Sequence, residues 1–120
     1  MSASQRRKGA AAEREVLKLL GAELGLLLER NLTQTRDGGA DCIAVKGWAI
    51  EVKRHERLSR PAWWRQACEQ ARKLGVEPML LYRRSREPWQ AFIHTRDGQY
   101  REGSILDAAE AIREKLLGWP

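Results

Sequence analysis

The stretch Ala40-Asp41-Cys42-Ile43-Ala44-Val45-Lys46-Gly47-Trp48-Ala49-Ile50-Glu51-Val52-Lys53 decides the fold. Two apolar runs, residues 40–45 and 48–53, flank Lys46-Gly47, the pattern of two strands joined by a tight turn. Side chains two apart on a strand share a face, so Glu51 and Lys53 point the same way. An acid and an amine thus meet one site at the end of an apolar strand. The loop decides whether Asp41 joins them. A two-residue loop pairs Val45 with Trp48 and turns Asp41 to the other face, whereas a three-residue loop pairs Ala44 with Trp48 and Asp41 with Glu51. The longer loop needs a left-handed residue at its end, which Gly47 supplies, and it is the loop predicted here.

Working outward, Ser2 and Gln5 have capping-box spacing. The following two dozen residues, up to the Gly21 and Gly25 region, read as an amphipathic helix with Arg6, Ala10, Glu13, Leu17, Leu20 and Leu24 on one stripe. Residues 26–33 suggest a strand and Arg36-Asp37-Gly38-Gly39 a turn, so that a three-stranded meander precedes Lys53. Ser59 and Pro61 mark a helix start, and Gly75 and Pro78 a stop, which predicts a helix over 61–74. Residues 79–83 and 89–93 read as strands. Ser104 and Asp107 have capping spacing before a last helix over 105–117, with Gly118 just past its end. The predicted order is αβββαββα, an α/β fold with a mixed central sheet flanked by helices.

A chain of 120 residues with 42% hydrophobic and 32% charged positions fits a single domain over 1–120 that can bury a core unaided. Cys42 and Cys68 lie 26 positions apart without paired histidines, so neither a disulfide framework nor a zinc site is indicated, and a reducing, cytoplasmic setting is expected. The apolar stretches near 16–20 and 24–28 fall far short of the roughly 20 residues of a membrane span. No signal-peptide pattern opens the chain.

Charge is more informative. The formal net charge is +6, and sixteen of the 22 cationic residues are arginine. Between Lys53 and Arg86 ten basic residues face three acids, so this one segment holds the whole surplus. Arginine's planar fork suits phosphate, and a polyanion such as DNA is the expected partner. The plainer reading is a solvated basic face.

Phosphodiester hydrolysis needs hard oxygen ligands for magnesium, which polarises the phosphoryl group and activates water, and a cation near the developing charge. Asp41 and Glu51 would be the ligands. Lys53 would orient the water and stabilise the transition state, and the Val52 carbonyl would complete the inner shell. The plainer readings are a turn aspartate and a cross-strand ion pair. Glu13 falls on the apolar stripe of the first helix, where a carboxylate is costly unless a metal or cation receives it; a border position is the alternative. Glu15, about 200° around the helix, reads as ordinary surface. His55 and His94 are isolated, and both cysteines read as small core residues. Trp48 and Trp89 suit strand packing. Trp63 and Trp64 are about 100° apart on a helix, so one should face outward, toward a dimer interface or a DNA base.

Arg7-Lys8-Gly9 followed by Glu13-Arg14, then Gly39-Ala40-Asp41-Cys42-Ile43-Ala44, then Ile50-Glu51-Val52-Lys53, resemble the archaeal-type Holliday-junction resolvases and their phage-borne relatives within the PD-(D/E)XK nuclease superfamily. The resemblance spans residues 6 to about 84. It implies a restriction-endonuclease-like core and a magnesium site, with manganese as a substitute, in which Glu13, Asp41, Glu51 and Lys53 take the family's roles. It also implies a catalytic glutamine on the following helix, matched by Gln66 with Gln70 in reserve. The family's loop serine has only Thr33 and Thr35 here. The implied protein is a homodimeric endonuclease on branched DNA, with no small-molecule cofactor and no membrane. Arg6, Arg7, Lys8, Arg54, Arg57, Arg60 and Arg65 are the candidate DNA contacts. The alternatives are a restriction-like or nick-specific nuclease on duplex DNA, or a catalytically silent DNA-binding module.

Overall fold

The computed structural model describes residues 3–28, 45–94 and 100–117. In chain order its elements are α1 (Ala3–Leu24), β1 (Trp48–Arg54), α2 (Arg60–Leu74), β2 (Glu77–Arg83), β3 (Gln90–His94), β4 (Tyr100–Gly103) and α3 (Ile105–Leu116). The strands form one sheet in the order β1-β2-β3-β4. β1 and β2 are parallel, with Glu51 beside Leu80 and Lys53 beside Tyr82, as a strand pair joined through a crossover helix must be. β2, β3 and β4 follow as antiparallel neighbours.

The period of two divides this sheet cleanly. Trp48, Ile50 and Val52 of β1, Met79 and Leu81 of β2, and Ala91 and Ile93 of β3 pack against Val16, Leu17 and Leu20 of α1 and Ala108 and Ile112 of α3. The opposite face presents Leu80, Tyr82 and Phe92 to Trp63 and Ala67 of α2, and Ala49 to Ala71. Two helices therefore cover one face and one helix the other, the mixed sheet flanked by helices that the sequence leads one to expect. Trp48 and Trp89 are buried as strand-packing residues.

Helix ends follow local chemistry. Gly75, left-handed at φ +69°, closes α2, and its N–H reaches the carbonyls of Ala71 and Arg72; this sharp stop turns the chain directly into β2. At α3 the predicted capping box is formed: the Asp107 N–H donates to Ser104 Oγ at 3.2 Å and the Ser104 N–H to Asp107 Oδ2 at 2.8 Å. Gly47 sits at the left-handed φ of +89°, but the Trp48 N–H donates to the Val45 carbonyl at 3.1 Å, which closes a two-residue turn of Lys46 and Gly47 in place of the predicted three-residue loop.

Three further differences from expectation stand out. Residues 26–28 are irregular rather than the start of a strand: the Leu26 N–H turns back to the Gly21 carbonyl at 2.9 Å, ending α1 in a helix-closing bond. β4 is a strand that Tyr100-Arg101-Glu102-Gly103 does not announce, because one apolar residue in four gives no alternation; backbone pairing with β3, from Ala91 opposite Gly103 to His94 opposite Tyr100, creates it. α3 ends at Leu116, with Leu117 as its cap. The expected strands over 29–33 and 40–44, the turn at 36–39, the pairing of Asp41 with Glu51, and Ser2, Thr33, Thr35, Cys42 and Gly118 lie outside the described residues.

Candidate active site

β1 carries Glu51 and Lys53 on the face that α2 covers, since Ala49 on the same alternation packs against Ala71. Glu51 is 5% exposed and is the one buried charged residue among those described. Burial of a carboxylate is costly unless charge or hydrogen bonds compensate it. Part of that compensation is Lys53, whose Nζ stands 3.6 Å from Glu51 Oε1. This separation is an ion pair longer than a direct hydrogen bond, so the ammonium neutralises the carboxylate without saturating it.

Tyr82, the register partner of Lys53 on β2, is buried beside it. Burial raises the pKa of its hydroxyl. Arg60, at the start of α2, donates to Glu102 Oε1 of β4 at 2.7 Å; the Tyr82 hydroxyl and the Glu102 carboxylate both hold its guanidinium in the charged form. At the end of β1, Arg54 is half-buried and donates to Ser85 Oγ at 3.1 Å. The Ser85 N–H donates to Glu56 Oε1 at 3.2 Å, and the Ser85 hydroxyl bonds the same oxygen. This clasp locks the ends of the two parallel strands together, next to Lys53. Ser85, Glu56 and Tyr82 escape sequence reasoning because only the β1–β2 register brings them there.

The remaining site candidates are distributed as follows. Val52 points into the core on the other face, so only its backbone carbonyl is available as a ligand. Gln66 is half-buried on α2, the helix over Glu51 and Lys53. Gln70, one turn later, has a buried Oε1 with no hydrogen-bond partner among the described residues. Glu13 is half-buried at the border of the Ala12, Val16, Leu17 and Leu20 stripe of α1, on the helix that covers the opposite face. Glu15, read as plain surface, pairs with Arg83 at 3.3 Å, and Arg83 lies 5.4 Å from the Trp89 ring centroid. Asp41 lies outside the described residues, as do the side chains of Arg6, Arg7 and Lys8.

Arg57 and Arg65 are exposed, on the loop before α2 and on α2 itself. Neither adjacent tryptophan faces outward freely: Trp63 is buried against Tyr82, and Trp64 is half-buried between Phe92 and Tyr100. Among the described residues the outward aromatic is Tyr100, on the unannounced strand. His55 is exposed and stacks on Trp63 at 5.3 Å. Cys68 is half-buried rather than core, and burial raises its thiol pKa, which makes it a poor nucleophile.

The donor chemistry suits a hard divalent cation. Glu51 offers a carboxylate held at low solvent exposure, and the Val52 carbonyl is adjacent in sequence. Among the described residues no three His, Cys, Asp or Glu side chains converge; Asp41, the other ligand expected from the sequence, lies outside them.

Comparison with known proteins places this geometry in context. A family model described as phage putative PDDEXK endonuclease matches residues 4–111. Among solved structures, the 28% identical Archaeoglobus fulgidus Hjc, a Holliday junction resolvase from an archaeal hyperthermophile, superposes with a TM-score of 0.54; the match covers 72% of this chain and 72% of that one. No curated protein matches.

Proposed function

Because the chain belongs to the phage putative PDDEXK endonuclease family, we propose that it is a magnesium-dependent endonuclease that cuts DNA at Holliday junctions or other branched structures. The observation that carries the reading is the buried Glu51 carboxylate with Lys53 3.6 Å away on the same strand face. Nucleases of this superfamily generally use divalent metals. The branched substrate is supported by the likeness to the archaeal resolvase.

In this proposal Glu51, Asp41, Glu13 and the Val52 carbonyl hold the ion. The bound ion, magnesium or manganese in its place, supplies Lewis acidity toward the scissile phosphate and its attacking water. Burial of Glu51 fixes its carboxylate in one place, so no reorganisation is needed when the phosphate arrives. Lys53 sets a positive charge beside the reacting phosphoryl group, where negative charge grows in the transition state. Gln66, from the covering helix, orients the water through its amide. Arg54, Arg57, Arg60 and Arg65, with Arg6, Arg7 and Lys8 of α1, bind backbone phosphates and position the strand without reading sequence.

A homodimer belongs to the same proposal, since a four-way junction presents two equivalent strands to be cut and one chain supplies one site. So does a cytoplasmic location, where the DNA is met; none of the described helices is long and apolar enough to cross a membrane. The test is cleavage of a matched panel (four-way junction, fork, flap, linear duplex and single strand) with magnesium and with a chelator. Junction cleavage that the chelator stops is expected. Cleavage of linear duplex alone would replace the branched substrate with a restriction-like one, and binding without cleavage of any member would make the chain a silent DNA-binding module.

A further inference from the structure

On the α2 face of the sheet an aromatic chain runs away from the candidate site toward the far edge. Trp63 packs on Tyr82 at 6.2 Å, Tyr82 on Phe92 at 5.6 Å, and Phe92 on Tyr100 at 5.4 Å, edge to face. Trp64 closes the end of the chain, 5.8 Å from Phe92 and 5.4 Å from Tyr100. All but the last ring are buried or half-buried, whereas Tyr100 is 55% exposed. It is held from behind by Trp64 and Phe92, on a short strand that begins at Tyr100 itself. A ring fixed in this way costs little entropy to stack upon.

The surroundings select the occupant. Arg60 of α2 pairs with Glu102 of β4, two residues from Tyr100, and Arg65 follows Trp64 on α2, both within the segment that holds the chain's whole positive surplus. A second copy seated on this ledge would set the basic segment against its own like charge, so a dimer would use another face. A nucleic acid strand matches both features, since it is anionic along its backbone and presents a flat π face at each unpaired base. The platform also lies on the face that bears Glu51 and Lys53: Glu51 sits beside Leu80, Leu80 opposite Phe92, and Phe92 opposite Glu102. Three strand spacings take that row from Glu51 to Glu102, and Tyr100 lies two residues farther along β4, opposite His94, so the platform stands about 16 Å from Glu51.

We propose that Tyr100, braced by Trp64 and Phe92, is a stacking platform for an unpaired base of the DNA substrate, about 16 Å across the sheet from Glu51. Duplex DNA keeps its bases stacked internally and gains nothing from the platform. DNA with unpaired bases next to a branch or gap does. The inference rests on the reading of the chain as a DNA nuclease and names the substrate feature that its far edge recognises.

The experiment measures binding of the full chain, in calcium to suppress cleavage, to two oligonucleotides of equal length: a linear duplex, and the same duplex with a short single-stranded gap carrying 2-aminopurine. The expected result is that Tyr100→Ala weakens binding to the gapped DNA by roughly 5- to 100-fold, the range of one base–aromatic stack, and leaves duplex binding unchanged. Tyr100→Trp restores the loss, and 2-aminopurine fluorescence is quenched by the wild type and not by Tyr100→Ala. Equal loss on both DNAs, or no loss on either, overturns the platform. So does a change in sedimentation mass for Tyr100→Ala, which would assign the ledge to a second copy. Failure of the underlying DNA reading has a different signature, the absence of wild-type binding to either DNA.

Discussion

Lys53 Nζ stands 3.6 Å from Glu51 Oε1 on the face of β1 that α2 covers, with the carboxylate buried and the lysine only partly so. The two residues are therefore coupled energetically as well as chemically. Lys53→Ala removes a compensating charge from a buried carboxylate, which lowers stability as well as activity. Adding Glu51→Gln to that variant should recover part of the lost stability without recovering activity. Thermal denaturation of the two single variants and the double variant measures the coupling; strictly additive losses would reduce the pair to an incidental contact.

Phosphate binding should show in the salt dependence. Each DNA phosphate neutralised steepens the fall of affinity with salt by about 0.9 in the logarithmic slope on duplex DNA. Arg57 and Arg65 are exposed, so Arg57→Ala and Arg65→Ala should each flatten the slope by about that amount and weaken every DNA alike. Arg60 differs, because breaking its 2.7 Å pair with Glu102 also frees β4. A salt titration of binding reads the slopes, and unchanged slopes would move the contact surface elsewhere.

The close approach of α2 to the catalytic strand depends on two small side chains, Ala49 and Ala71, both buried. Ala71→Leu should cost about 1–3 kcal/mol through overpacking. It should also reduce cleavage, because lifting α2 moves Gln66 away from Glu51 and Lys53. Denaturant unfolding and single-turnover cleavage test the two effects. A variant as stable and as active as the wild type would mean that the contact is loose.

The cap of α3 gives a pH prediction. Hydrogen bonding from the Ser104 backbone N–H, and then from its hydroxyl, lowers the pKa of Asp107. A carboxyl with a lower value in the folded state than in the unfolded one stabilises the fold fully above its unfolded value of about 3.9, and that contribution disappears as pH falls through the folded value. Asp107→Asn should therefore be less stable than the wild type at neutral pH, with the difference shrinking below about pH 4. Ser104→Ala should cost about 1 kcal/mol. Denaturation as a function of pH measures both, and a difference independent of pH would remove the carboxylate from the cap.

The elements with strong local signals were legible in the sequence. Capping residues and glycine stops located α2 and α3, and apolar runs bounded by turn residues located β1 and β2, because those signals lie within a few residues of the structure they create. The shared face of Glu51 and Lys53 followed from strand periodicity alone. β4 was not legible, since its only cause is an open edge on β3. For the same reason the outward aromatic was sought at Trp63 or Trp64 and is found at Tyr100. The Arg54–Ser85–Glu56 clasp and the place of Tyr82 beside Lys53 depend on the register between β1 and β2, which the intervening helix hides from any local pattern.

Whether Glu51 holds a divalent metal for DNA cleavage is decided by comparing wild type with Glu51→Gln on one four-way junction. Binding and single-turnover cleavage are followed together, in magnesium and in chelator. Wild-type cleavage is expected in magnesium alone, with none by Glu51→Gln and junction affinities within a few-fold of each other, because an amide is a poor ligand for a hard cation while the arginines proposed to bind DNA are untouched. Cleavage by Glu51→Gln at near the wild-type rate, or wild-type cleavage that persists in chelator, would contradict a metal role for Glu51.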